Sequence, residues 1–150
     1  MAEIGIARRR PEHGQSLVEM AMVLPLLLLL FGGIVDFGLM FQRYEVLTNA
    51  AREGARIAVL PGYTDETVIQ GRVAEYITEG LGAAPAGGAL TTTVERNVPI
   101  GTFQGVRVTV TLDSTFIILG PIMSLFSGGD WTTITLTAVS TMRCELGNCA

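Results

Sequence analysis

Gly14, Gln15 and Glu19, in the run GQSLVE, have types and spacing suited to peptide-bond cleavage followed by charge pairing. A glycine ahead of a scissile bond lets backbone enter a tight protease site without a side chain. Cutting after Gly14 would make Gln15 a new N-terminus and leave Glu19 at the fifth position of the shortened chain. A helical turn rises about 5.4 Å, so Glu19 would lie one turn from the new ammonium group. A carboxylate in low-dielectric surroundings seeks such a charge, from its own chain or from a neighbour. Two plainer readings stand beside this one. Glu19 can lie harmlessly among headgroups, or Ser16 and Glu19 can form the N-cap and N3 positions of an S-x-x-E capping box. Neither accounts for the glycine or for the basic residues ahead of it.

Other chemistry is sparse. The chain has no lysine: its ten basic residues are all arginine, which removes Schiff-base chemistry and a P-loop lysine. The single histidine, His13, precedes the proposed cut. Glu75 and Glu79, spaced i, i+4, are more simply a wet helix face than an acid–base pair. The expectation is a protein that is not an enzyme, with no catalytic residue, no cofactor and no metal. Cys144 and Cys149 are the only cysteines, separated by ELGN. In an oxidising compartment such a pair can close a small loop; two thiols and a leader histidine make a poor zinc set, so a disulfide is favoured over metal. A net charge of −4 gives no basic surface for nucleic acid.

These residues must be held by a membrane segment. Hydrophobic residues make up 49% of the chain and charged ones 16%, and no charge falls between Met20 and Val35. From Leu17, about 20 helical residues at 1.5 Å rise cross a ~30 Å hydrocarbon core and end at Asp36, read as a solvated residue at the helix exit. Arg8, Arg9 and Arg10 precede the run, and only Arg43 follows closely, so the positive-inside rule keeps the N-terminus in the cytoplasm. No A-x-A pattern follows, so a retained anchor is expected rather than a cleaved secretory signal. Pro25 inside the run predicts a kink, useful to a helix that leaves a bilayer for a filament, or else a mere membrane-helix irregularity.

A short basic leader, a glycine, a glutamate at the fifth position and a hydrophobic helix resemble a type IV prepilin signal. The continuation through LTNAAREGARIAVL, together with the late ITLTAVSTMRCE, resembles the TadE-like family of pseudopilins, the minor pilins of tight-adherence (Tad) pili. One departure is Met20, which follows Glu19 where major pilins of that system tend to carry an aromatic. The resemblance is strong over Gly14 to Leu60 and moderate in the last strand, and the middle is variable. It implies processing by a prepilin peptidase and a role in starting or supporting pilus assembly, serving adhesion and biofilm formation. Its implied partners are other pilin or pseudopilin subunits, the peptidase, the Tad inner-membrane assembly platform and membrane lipid, with no nucleic acid. The implied location is the bacterial inner membrane, single-pass, with the C-terminal domain outside. The alternative is an uncleaved, signal-anchored periplasmic domain that binds or scaffolds envelope components.

The expected architecture is α+β: a long N-terminal membrane-spanning helix, a short second helix and a small antiparallel sheet of about three strands laid on the first helix. The leader covers 1–14, the transmembrane segment 15–41 and the exported domain 42–150. Leu47, Ala50, Ala51, Gly54, Ala55 and Ala58 form a seam of small and apolar residues in the helix continuation 42–60, ended by Pro61-Gly62. Glu45, Arg52, Glu53 and Arg56 lie mostly outside it, a solvated face first and a partner contact second. A helix over 65–80, capped by Thr64, buries Val68, Ile69, Val73, Tyr76 and Ile77. Strands follow at 90–98, 105–116 and 131–143. In the second, Val106, Val108, Val110 and Leu112 alternate with Arg107, Thr109, Thr111 and Asp113; in the third, Ile134, Leu136 and Ala138 share a face. Between them, Phe116 to Asp130 is too apolar for a casual loop and too short to span. It is either a core-capping segment or an exposed patch against the bilayer or the next subunit.

Overall fold

A computed structural model of the chain describes residues 13–82, 88–126 and 133–144. Helix α1 (His13–Ala58) is followed by α2 (Glu66–Leu81), β1 (Leu90–Ile100), β2 (Phe103–Thr115), a short α3 (Leu119–Phe126) and β3 (Thr133–Arg143). The three strands form one antiparallel sheet in the order β1-β2-β3. The fold is therefore the α+β arrangement expected: a long apolar N-terminal helix, a shorter helix and a three-stranded sheet.

α1 runs 46 residues, about 69 Å at 1.5 Å per residue, and remains helical through Pro25. Its two halves have different surroundings. From Gly14 to Phe31 every residue is exposed, whereas a buried stripe begins at Gly32 and continues through Asp36, Met40 and Leu47 to Ala58. All six residues of the expected seam are buried. Small side chains are required there because the sheet and α2 both close on this stripe. A Cβ on Gly54 would stand 2.7 Å from Val73 Cγ2 and 3.3 Å from Val108 Cγ1, so α1, α2 and β2 meet at the space a side chain would fill. The helix ends at Ala58, two residues before the expected Leu60. Pro61 disfavours helical geometry at the residue before it, and the chain turns through hydrogen bonds from Leu60 N–H to Ile57 and from Tyr63 N–H to Leu60.

α2 starts one residue later than expected. Its N-cap is Asp65, not Thr64: the Asp65 carboxylate accepts from Thr67 N–H at 2.9 Å and from the Thr67 hydroxyl at 2.8 Å. These bonds hold its pKa below the ordinary aspartate value. Gly82 closes the helix in the left-handed conformation (φ 71°) that L side chains disfavour. Ile69, Val73 and Ile77 are buried and Tyr76 is packed at the rim, but Val68 is 48% exposed. The reason is geometric: Val68 stands about 100° round the helix from Ile69, outside the stripe that Ile69, Val73 and Ile77 set at intervals of four.

The strand pattern reads as expected, with shifted ends. Val106, Val108, Val110 and Leu112 are fully buried against the helices. Leu136 and Ala138 lie opposite Leu112 and Val110 on the same face. Ile134 shares that face at the sheet's end and is 41% exposed. β1 and β2 join through Gly101-Thr102, and Gly101 takes the positive φ (60°) that primed hairpin turns need. A bulge interrupts β1 between Glu95 and Val98, with Asn97 at φ 57°. It frees Arg96 to donate to the Ala58 carbonyl at 3.2 Å and the Tyr63 carbonyl at 2.9 Å. A cation there meets the negative end of α1 and ties the hairpin to it. Cys144 is buried and is not a free thiol; Cys149 lies outside the described residues.

Candidate functional site

α1 carries two acids whose settings differ. At its start, Gly14 and Gln15 lie in the first helical turn, exposed, with open space where a Gly14 side chain would be. Helical side chains lean towards the N-terminus, and so the Glu19 carboxylate reaches back one turn. Its Oε1 accepts from Gln15 Nε2 at 3.5 Å, a long bond and its only hydrogen bond among the described residues. The helix already runs from His13, so Ser16 is a helical residue and not an N-cap. The capping-box reading of Glu19 is overturned, because that box needs a non-helical N-cap residue and an unpaired N–H on the third residue after it. Arg8, Arg9 and Arg10 lie outside the described residues.

Seventeen residues further on, about 26 Å along the axis, Asp36 is 3% exposed. This corrects its reading as a solvated exit residue. Its Oδ1 accepts from Ile117 N–H at 3.0 Å and Ile118 N–H at 3.2 Å, and its Oδ2 from Ile118 N–H at 3.0 Å and Leu119 N–H at 2.7 Å. These are the free amides at the N-terminus of α3, which no α3 carbonyl can satisfy. A charged acceptor also meets the positive end of the helix.

The surrounding residues make this junction a close fit. One turn before Asp36, Gly32 is buried, and a Cβ there would stand 2.6 Å from Ile118 Cγ2. Phe37 meets Phe116 edge to face at a centroid distance of 6.1 Å. Arg43 donates through Nη1 to the Ser114 hydroxyl, and to the Thr115 carbonyl at 3.5 Å. The link from β2 into α3 is therefore clamped along α1 from Gly32 to Arg43. Sequence reasoning missed Asp36. The available signal was the pair Gly32 and Asp36, a gap and an acid one turn apart on a single helix face, with an apolar Gly-Pro-containing segment still needing a partner.

Above the junction, the outward face of α1 is polar. Phe41, Tyr44, Glu45, Thr48, Asn49 and Arg52 line a shallow open depression. Beside it, Arg56 donates to both Glu53 oxygens at 2.9 Å. That pairing holds the Glu53 carboxyl below its ordinary pKa and raises that of Arg56. On α2, Arg72 pairs with Glu75 at 2.7 Å, and Glu79 is exposed.

The comparisons with known proteins fall on α1. Residues 14–56 match the TadE-like protein family. No curated protein and no solved structure matches the chain. The TadE-like segment begins at Gly14 and covers both acids and most of the small-residue seam. α1 is also long and apolar enough to cross a membrane, and its most apolar stretch is only 6% buried. A TadE-like segment on a candidate membrane helix fits a minor pilin of the Tad type.

Proposed function

We propose that the chain is a minor pilin-like subunit of a Tad pilus system, cut between Gly14 and Gln15 by a prepilin peptidase. α1 crosses the inner membrane with the arginine-rich leader that precedes it in the cytoplasm and the sheet outside. The observation that carries this reading is the position of the TadE-like segment, whose first residue is the glycine singled out for cleavage. After the cut, the ammonium of Gln15 lies within one turn of Glu19, as the reach of Glu19 towards Gln15 illustrates. Glu19 then pairs with an N-terminal amine, its own or that of a neighbouring pilin, during extraction into a filament. The subunit works by assembly rather than by catalysis, in adhesion and biofilm formation, with other pilin subunits and the inner-membrane assembly platform as partners. The pairing of Cys144 with Cys149 belongs to the same proposal and suits an oxidising periplasm.

The test is the intact mass of the protein extracted from native membranes, with and without the host's prepilin peptidase. Loss of residues 1–14 only when the peptidase is present supports the processing. A full-length mass in both strains defeats it and leaves a signal-anchored envelope domain. The assembly role is tested separately: Glu19→Ala should leave insertion intact and lower recovery in pili, and an unchanged pilus yield would remove that role.

A further inference from the structure

We propose that α3 is a membrane foot: with the residues leading into it, from Ile117, it lies in the headgroup–acyl boundary of the bilayer that α1 crosses, and Asp36 fixes it there. The proposal rests on α1 being a membrane span, but not on cleavage or on filament assembly.

Depth along α1 is the first argument. A span that starts at Leu17 ends at Asp36, so the Asp36 carboxylate and the three amides it holds lie at the leaflet where α1 leaves the hydrocarbon. Ile118 packs on Gly32, four residues back towards the bilayer centre. That is about 6 Å at 1.5 Å per residue, within the ~5–10 Å depth at which interfacial helices bury their apolar faces.

Composition is the second. From Ser114 to Gly129 the chain carries no charge, and α3 itself reads LGPIMSLF. Eight residues cannot span, at about 12 Å. Ile117 is nonetheless 56% exposed, Pro121 is exposed and Ile122 is half-exposed. Leaving these side chains in water is unfavourable, whereas lipid relieves it without a further partner.

Continuity is the third. Phe31, Ile34 and Phe37 of α1 are each more than 60% exposed and lead from the span to Phe116 and Ile117 without a polar break. One apolar surface therefore runs from the span onto the foot, and the occupant of its first part, lipid, is the occupant of its second.

Asp36 makes this arrangement possible. A helix N-terminus entering the boundary region would bring free N–H groups into a medium with little water. The carboxylate takes up three of them, and it is itself satisfied by them while buried at the end of the span. Each group removes the other's desolvation problem, which explains an acid, in place of a polar neutral residue, at this position.

The experiment uses the full chain in phosphatidylcholine–phosphatidylglycerol nanodiscs, one copy per disc, with nitroxides on single introduced cysteines. The sites are Leu28→Cys in the span, Ile117→Cys and Ser124→Cys in the foot, and Val139→Cys on the open face of the sheet. The unmodified protein, treated with label in parallel, gives the background from the native cysteines. Relative access to oxygen and to a nickel chelate reports depth. Ile117→Cys should favour oxygen as Leu28→Cys does, with Ser124→Cys intermediate and Val139→Cys nickel-accessible. If Leu28→Cys favours oxygen while both foot sites match Val139→Cys, the foot is overturned and the span stands. If Leu28→Cys is also aqueous, the span fails and the foot falls with it. Added to Ile117→Cys, Asp36→Asn should move the reading towards that of Val139→Cys without changing Leu28→Cys. An unmoved reading removes Asp36 from the proposal, and the depth profile of the otherwise unsubstituted chain stands whether or not that variant folds.

Discussion

Glu19 and Asp36 are both acids at the edges of one apolar run on one helix, and the structure treats them oppositely. Asp36 is buried with four accepted amide contacts, whereas Glu19 is exposed with one long bond to the side chain a turn behind it. A buried carboxylate with both oxygens occupied is committed to its own chain and cannot recruit a partner without dismantling the junction it holds. An exposed one has most of its acceptor capacity free. The contrast separates an acid that shapes the subunit from one available to a process outside it, and it does so by partners, since sequence and helix position alone make the two look alike.

The comparison breaks most readily at Asp36. Replacing it with alanine leaves three amides at the start of α3 without acceptors, which should cost about 2–4 kcal/mol of stability. Hydrogen exchange at Ile117, Ile118 and Leu119 should accelerate more than exchange in β2. Equal protection in both proteins would show that the carboxylate does not hold this turn. A smaller effect is expected where α1 meets the sheet. Gly54→Ala places a methyl group against Val73 and Val108, an overpacking worth about 1–3 kcal/mol. A midpoint of denaturant unfolding equal to that of the parent would mean that the seam has slack the geometry does not suggest.

Most of what depends on local periodicity is legible in the sequence, Val68 being the exception: it falls outside the stripe of Ile69, Val73 and Ile77 and is exposed. The seam from Leu47 to Ala58 and the alternation from Val106 to Leu112 are periodic signals whose meaning lies within a dozen residues. The other departures lie where a longer-range contact or a neighbouring residue decides. Asp36 bonds to an amide 81 positions away, and a local reading gives an acid at a membrane edge its nearest partner, water. Ser16 looked like a cap because S-x-x-E spacing carries no information on whether the helix has already begun. Thr64 lost to Asp65 because two adjacent capping residues compete and only backbone direction decides between them. α3 was seen as an apolar need without a form, since Gly120-Pro121 argues against a helix unless proline falls in its first turn, where its missing N–H is no loss. Gly14 and Glu19 are proposed as processing and assembly residues from their spacing and from resemblance, and neither reading depends on a distant contact.

The outer face of α1 sharpens the contrast with a weaker, titratable pair. Arg56, as hydrogen-bond donor and as charge, holds Glu53 below its ordinary pKa of 4.5. A carboxylate whose folded pKa is depressed contributes stability that is fully present above its unfolded pKa. That contribution is lost as pH falls through the folded value. The stability gap between the parent and Glu53→Gln should therefore be constant near neutrality and close at pH values below 4.5. A carboxyl titration by NMR with its midpoint at or above 4.5, and a gap that does not change on acidification, would remove the pairing as a contributor.

The smallest expected effect on stability is at Glu19. Glu19→Gln keeps the side-chain length and an acceptor for Gln15, and the site is exposed, so the unfolding free energy of the detergent-solubilised protein should change by less than about 0.5 kcal/mol. The value of the measurement lies in pairing it with Asp36→Asn, the same chemical change at the other end of the apolar run. If neutralising either acid costs the same, both are structural and Glu19 needs no partner beyond its own helix. If Asp36→Asn destabilises the subunit while Glu19→Gln leaves it unchanged, then a charge that the lone subunit does not need is being kept next to its candidate cleavage site. Any loss of pilus recovery in Glu19→Gln would then have to arise after folding, as the proposed pairing of the carboxylate with an amine requires.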